Sequence, residues 1–295
     1  MIDIENLLFL ILCFLIPCYF LFVHFRTTKM SSTSKLSKDF KSFKITGKRV
    51  VGTSTNRPII FLTISCTVGA LPTGSHVKVR VTTKEGTVET RPYTPTKFSL
   101  ESCELLVRVY EYGAVSSILG ALNVGDSIEM MGPTGIHRYI ATSSTFQRGP
   151  KTWGGINKIA MLAGGTGITP MLQIINAALR TPKQKRARDN LRISLLVFGS
   201  NVGDVMLEEE LREIEERFEG ALKVTYVIST PPPASQSGQY KTGSMRTLSH
   251  VDLFELLEFT PEMTDLMVCL CGPDGFTKKA RKEMMASGAT NVLTW

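Results

Sequence analysis

Histidine and cysteine are scarce in this chain of 295 residues, four of the one and six of the other. Cys13 and Cys18 fall inside an apolar run, Cys66 and Cys103 stand alone, and Cys269 and Cys271 form a C-x-C. None of these spacings matches a zinc site or an iron–sulfur cluster, so no metal is expected, and a disulfide framework is not expected either. Positive charge has no spread. The net charge is +8, yet residues 26–49 hold Arg26, Lys29, Lys35, Lys38, Lys41, Lys44, Lys48 and Arg49 against Asp39 alone, which accounts for +7 of it. The near-neutral remainder argues against a nucleic-acid-binding domain, and no nucleic acid is expected as a partner. With 43% apolar and 20% charged residues the composition is that of a folded globular chain, long enough for about two domains. No internal repeat is visible.

One long hydrophobic run is present. Residues 7–23, LLFLILCFLIPCYFLFV, carry no charge and as a helix would span roughly 25 Å, the short end of what crosses a bilayer and suited to a thin one. Pro17 would kink such a helix without forbidding it. A cleaved signal peptide would need a basic start and a small-residue cleavage site; Asp3 and Glu5 stand where the basic residues should be. The expectation is an N-terminal transmembrane helix within a membrane anchor over residues 1–29, acidic end outside and everything from Arg26 onward in the cytosol. A basic tether over residues 30–39 then lies against anionic headgroups, a placement compatible with a plain solvated linker. The endoplasmic reticulum is the membrane expected, with the mitochondrial outer membrane as the other choice.

From residue 40 the chain changes rhythm twice. Short β-type runs at residues 59–68, 76–82, 105–110 and 127–131, bounded by Gly, Pro or Asn and joined by one brief helical stretch at 115–122, predict an antiparallel β-barrel over residues 40–148. Residues 149–156 read as a linker. Strand and helix patterns then alternate through residues 157–295, which predicts an α/β domain with a parallel sheet.

Three motifs carry chemistry. Gly164-Gly165-Thr166-Gly167-Ile168-Thr169-Pro170 follows an apolar strand and opens a helix, with Pro170 at a position where its fixed φ suits a helix start. Such a turn lets a pyrophosphate approach the backbone and face the helix N-terminus; taken alone it is only a turn. Arg91-Pro92-Tyr93-Thr94-Pro95 offers a phosphate fork, a flat aromatic face and a hydroxyl, although a Pro-punctuated edge strand would look the same. Cys271-Gly272-Pro273-Asp274-Gly275-Phe276 ends the last predicted long strand of the α/β half, where doubly wound folds place a ligand crevice, or is merely a helix-start turn with a buried thiol.

In this order the three motifs resemble the ferredoxin reductase superfamily, and within it the NADH–cytochrome b5 reductases, above all the reductase half of fused cytochrome b5–reductase proteins. The resemblance implies an FAD-binding barrel followed by an NAD-binding domain, with NADH giving a hydride to FAD and electrons leaving one at a time for cytochrome b5 or a similar haem protein. It assigns Arg91 to the FAD pyrophosphate, Tyr93 to the isoalloxazine with Pro92 holding the strand extended, and Thr94 to a hydrogen bond near the reactive nitrogen. Gly113, Val115 and Ser116 match a second phosphate-contacting turn. Gly164, Gly165, Thr166, Gly167, Thr169 and Pro170 would hold the NADH pyrophosphate, while Cys271, Gly272, Pro273 and Phe276 would line the nicotinamide pocket. Thr94 and Cys271 are thereby the candidate catalytic residues, and no general base is required.

Several features depart from that pattern. The segment between Tyr110 and Gly113 is shorter than the family's adenine-side loop, and Phe276 stands where methionine is frequent. No His-Pro-Gly-Gly is present, so the acceptor is expected to be a separate molecule. His137 is read as a surface residue. Asp204, in a loop without basic residues, matches the acid that favours NADH over NADPH, and Trp295 matches the aromatic with which relatives end, near the flavin. Six basic residues between Arg180 and Arg192 would make a docking patch for an acidic haem protein or a solvated loop. Two other functions remain open: reduction of a small acceptor such as a quinone or ferric chelate, and a redox-inactive nucleotide-binding membrane protein.

Overall fold

In β3 (His76–Thr82) every second side chain is apolar, and Val77, Val79 and Val81 turn inward while Lys78 and Thr82 face out. That period of two places the strand on one side of a half-buried sheet. The computed structural model describes residues 35–52, 57–66, 71–181 and 190–295, and β3 belongs to its first sheet. The others are β1 (Lys41–Gly52), β2 (Ile59–Ser65), β4 (Val88–Tyr93), β5 (Lys97–Phe98), β6 (Ser102–Arg108) and β7 (Ser127–Thr134). They pair antiparallel in the order β4-β3-β7-β1-β2-β6-β5 around Phe43, Ile45, Leu62, Ile64, Leu105 and Met130. A short helix, α1 (Ser116–Ala121), buries Leu119 in the same core. This is the expected antiparallel barrel. β4 and β5 are its terminal strands, so the Arg91–Tyr93 stretch lies on a strand with one free edge.

Residues 149–156, read as a linker, carry a strand. β8 (His137–Ile140), β9 (Thr145–Arg148) and β10 (Lys151–Trp153) form a three-stranded sheet in which β10 turns back on β9 across Gly149 and Pro150. Phe146 is fully buried and its ring lies 4.6 Å from that of Tyr139. A Gly-Pro pair of this kind can be a tight turn as readily as a spacer; the buried aromatic decides it.

Beyond it the chain alternates as expected. β11 (Lys158–Gly164), α2 (Ile168–Arg180), β12 (Arg192–Gly199), α3 (Glu208–Arg217), β13 (Leu222–Ile228), β14 (Tyr240–Thr242), α4 (His250–Leu257), β15 (Leu266–Cys271), α5 (Asp274–Ala286) and β16 (Val292–Thr294) follow one another. The sheet order is β14-β13-β12-β11-β15-β16, with every pairing parallel. Side chains of β11 feed both faces: Met161 and Ala163 pack with α2, Ala160 and Leu162 with α4 and α5. The chain passes from β11 to β12 on one side and later returns to β15 on the other. β11 is therefore the switch point, outside whose carboxyl end a crevice opens.

The two halves are joined by a continuous apolar cluster that takes Ile59, Phe61, Leu106 and Phe146 from the sheets of the first half and Met171, Ile175 and Leu195 from the second. Buried Gln173 of α2 crosses this boundary twice: its Nε2 donates to the Pro95 carbonyl at 3.2 Å, and its Oε1 accepts from the Gly74 amide at 3.1 Å. Residues 7–23, with Cys13 and Cys18, lie outside the described residues, as do residues 30–34 of the tether and 182–189 of the basic patch. Among the described residues no helix is long and apolar enough to cross a membrane. Replacing Gln173 by Leu strands two buried backbone groups, and a loss of about 2 kcal/mol in unfolding free energy is expected in urea titration; an unchanged midpoint would show that water replaces the amide.

Candidate functional site

Between β11 and α2 the backbone makes a single tight turn, Gly165–Gly167, and two of its glycines are there for different reasons. Gly165 has φ +56° with open space where a Cβ would stand, so the turn can bear a close-lying ligand. Gly167 is pressed on β15: a Cβ there would collide with the Cys271 carbonyl. α2 then starts with no side-chain cap and no acidic residue in its first turn. A 13-residue helix with an uncapped N-terminus at such a turn leaves backbone N–H groups free to receive an anionic group such as a phosphate. Thr169 braces the turn by donating from Oγ1 to the Thr166 carbonyl at 3.1 Å, and Pro170 is buried behind it.

Opposite the turn stands the end of β15. The Phe276 ring lies against Gly164 and meets Phe198 edge-on at 5.2 Å. Burial pushes the Cys271 thiol up to about 12, with the Gly272 amide pulling weakly the other way, so the sulfur stays protonated at neutral pH.

These elements line two cavities. One, of about 540 Å³, takes Pro92, Tyr93 and Thr94 from the end of β4, Thr166, Gly167, Thr169 and Pro170 from the turn, and Cys271 and Gly272 from β15, with Trp295 at its wall. Burial raises the Tyr93 hydroxyl to about 12, so it remains a neutral donor. No acidic side chain is among the described residues of this lining, which suits a large flat electron-accepting ring. The other, of about 690 Å³, runs over Gly164, Gly165, Pro273 and Phe276 and on across the ends of β12 and β13. Gly113 opens on a smaller space of about 440 Å³ with Tyr110 and Tyr112, beside which Val115 and Ser116 begin α1, Ser116 Oγ accepting from the Tyr110 amide at 3.2 Å. A space of about 700 Å³ between Phe61 and Glu213 holds none of the motif residues.

Two sequence readings change. Asp204 does not face the nucleotide cleft: it is buried, its carboxylate 3.1 Å from Arg108 Nη2, while its backbone carbonyl accepts from the same nitrogen at 2.8 Å. A carboxylate this enclosed is stable only with a cation against it, and β6 supplies one. His137 is not a surface residue: it is 9% exposed, lines the first cavity and stacks on Trp295 with ring centroids 4.6 Å apart. Arg91 stands outside that cavity's lining, its Nη1 held by Glu89 at 2.9 Å and by the Thr90 carbonyl at 2.8 Å. His76 and Lys78, which no motif marked, join the first lining because β3 pairs with β4 beside Tyr93. Ser200 and Ser229 join the second, and their place after strands β12 and β13 was the available signal.

Residues 28–139 match the family model of the oxidoreductase FAD-binding domain, and residues 161–282 that of the oxidoreductase NAD-binding domain. Fold and site therefore define an oxidoreductase whose cofactors are FAD and NADH. The chain is 31% identical over 263 residues to NADH-cytochrome b5 reductase 1 of Dictyostelium discoideum, over 88% of this chain and 82% of that one, and 29% identical over 259 residues to the Candida glabrata protein of the same name, over 86% and 81%. It superposes on the cytochrome b5 reductase domain of Ulva prolifera nitrate reductase with a TM-score of 0.74 and 25% identity, over 89% of this chain and 100% of that domain. The chain belongs to the NADH-cytochrome b5 reductase family.

Replacing Asp204 by Asn leaves Arg108 buried without its counter-charge, and a destabilisation of about 3 kcal/mol is expected by denaturant unfolding; an unaffected variant would mean that the pair is open to water. His137 provides a pH test. Burial first, then the charges of Arg148, His76 and Arg138, lower it from 6.5 to about 4. The unfolded chain therefore takes up a proton near 6.5 that the native state refuses until about 4. Stability should be flat in this respect above pH 6.5 and fall below it, by at most about 1.4 kcal/mol per pH unit from this residue. His137→Gln should flatten the slope between pH 6 and 4.5, and an unaltered slope would assign the loss to other groups.

Proposed function

We propose that the chain carries electrons from NADH, through bound FAD, to cytochrome b5 or a similar haem protein while anchored in a membrane by residues 7–23, with its catalytic part in the cytosol at the endoplasmic reticulum. The observation that carries the reading is the shared first cavity, in which Tyr93 and Thr94 of the barrel meet Thr166 and Cys271 of the parallel sheet. Bound FAD supplies the chemistry, accepting a hydride and releasing electrons singly. The protein's part is placement. Tyr93 offers its face to the ring system and Thr94 its hydroxyl, on a strand edge whose backbone groups have no ladder partner. Arg91 would exchange Glu89 for the FAD pyrophosphate, and the turn at Gly113 to Ser116 would take the adenine-side phosphate. The Gly164–Pro170 turn would hold the NADH pyrophosphate with the nicotinamide toward Cys271, whose neutral thiol adds bulk without charge.

The anchor is supported by the uncharged run itself and by the strip of lysines that follows it. Full-length protein in detergent is expected to be yellow, to bleach on anaerobic addition of NADH, and to reduce purified cytochrome b5 at a rate that falls steeply with salt. A salt-insensitive rate with cytochrome b5 alongside fast reduction of a quinone or ferric chelate would favour the small-acceptor reading. A protein that stays colourless with added FAD would sink the reductase altogether. Resistance of the membrane-bound chain to alkaline extraction, lost when residues 7–23 are deleted, is the expected sign of the anchor.

A further inference from the structure

The second cavity has a direction. With the strands ordered β14-β13-β12-β11-β15, a dinucleotide whose pyrophosphate sits on the turn after β11 and whose nicotinamide lies toward β15 must extend its adenosine over the ends of β12 and β13 toward β14. Ser200 follows β12, Ser229 follows β13, and Ser244 and Arg246 follow β14; all four line the cavity at that end.

No carboxylate is found among the described residues of this lining. A ribose bearing a free 2′-hydroxyl is usually met by an acidic acceptor, and a 2′-phosphate by a cation with hydroxyl donors. The acid expected here, Asp204, is buried on Arg108. Of the other cations, Lys279 is occupied by Glu283, and Arg57 lies over the Tyr110 ring at 5.6 Å. Arg246 is exposed and makes no ion pair among the described residues. Its backbone is nonetheless fixed: Met245 is buried beside it, and the Ser244 amide donates to Thr247 Oγ1 at 3.1 Å. An unspent guanidinium on a fixed turn, sharing this lining with Ser229 and Ser244, is suited to a phosphate monoester rather than to a bare ribose.

We infer that Arg246, with Ser229 and Ser244, forms a 2′-phosphate subsite, and that the enzyme therefore accepts the 2′-phosphorylated nicotinamide dinucleotide, NADPH, as a hydride donor besides NADH. The inference rests on the dinucleotide reading of this cleft. It is tested on full-length, FAD-loaded protein by calorimetric titration with 5′-AMP and with adenosine 2′,5′-bisphosphate. The bisphosphate should bind about tenfold more tightly or better at low salt. Arg246→Ala and Ser229→Asp should each bring the ratio of the two affinities toward one, with Arg246→Lys restoring part of it. A ratio near one in the unaltered protein, or a ratio that neither substitution moves, overturns the subsite while leaving the dinucleotide cleft standing. Failure to bind either nucleotide overturns both. Because the ratio in the unaltered protein is decisive on its own, the result does not depend on every variant folding.

Discussion

Arg108 and Asp204, both buried and 3.1 Å apart, tie β6 of the barrel to the loop after β12. Neither charge is tolerable there alone, so each half of the molecule needs the other to complete its interior. Gln173 and the Trp295 indole repeat the tie at two more places. The indole donates from Nε1 to the Gly74 carbonyl at 3.2 Å, while its backbone amide closes on Leu270 at 2.9 Å. All three ties cross between the barrel half and the α/β half. They hold the end of β4 opposite the end of β15, and hydride transfer depends on that spacing to within a fraction of an ångström.

This division of labour accounts for the electrostatics of the cleft. Groups that fix the halves are neutralised and buried, while Arg246, along the second cavity, is left charged and exposed. Thiol and phenol beside the first cavity are held protonated by burial, so Cys271 and Tyr93 present no charge to a redox centre whose own charge changes. Cys271, Tyr93 and Thr94 thus shape the first cavity as dipoles and bulk, with Lys78 the one charged side chain among the described residues of its lining.

Much of this was legible in the residues. The period of two in β3, the all-apolar strand before Gly164 and the glycine turn itself follow from local chemistry, and they place both domains and the cradle. What was not legible shares one cause, namely partners remote in sequence. Asp204 reads as a ligand-facing acid until Arg108, 96 residues earlier, is found beside it. Gly149-Pro150 reads as a spacer until Phe146 is seen filling the core. Cys66 and Cys103 read as solitary, yet the pairing of Ile64 with Cys103 brings their sulfurs to 3.2 Å as free thiols within the barrel. A loop acid or a lone thiol carries no periodicity, and periodicity is what a single sequence displays.

The misreading of Asp204 bears on what decides the hydride donor. A carboxylate near the ribose excludes a 2′-phosphate only if its charge faces the ligand; turned inward and paired, it contributes to domain docking and nothing to discrimination. Selectivity then falls to whatever the strand ends present, and here these are hydroxyls and an arginine. The same acid cannot serve as both latch and gate, because the burial that makes it a strong latch removes its field from the cleft. In a two-domain enzyme whose ligand lies along the domain boundary, choosing an acidic side chain for the joint thus shifts the choice of nucleotide to the far edge of the sheet, where β13 and β14 end.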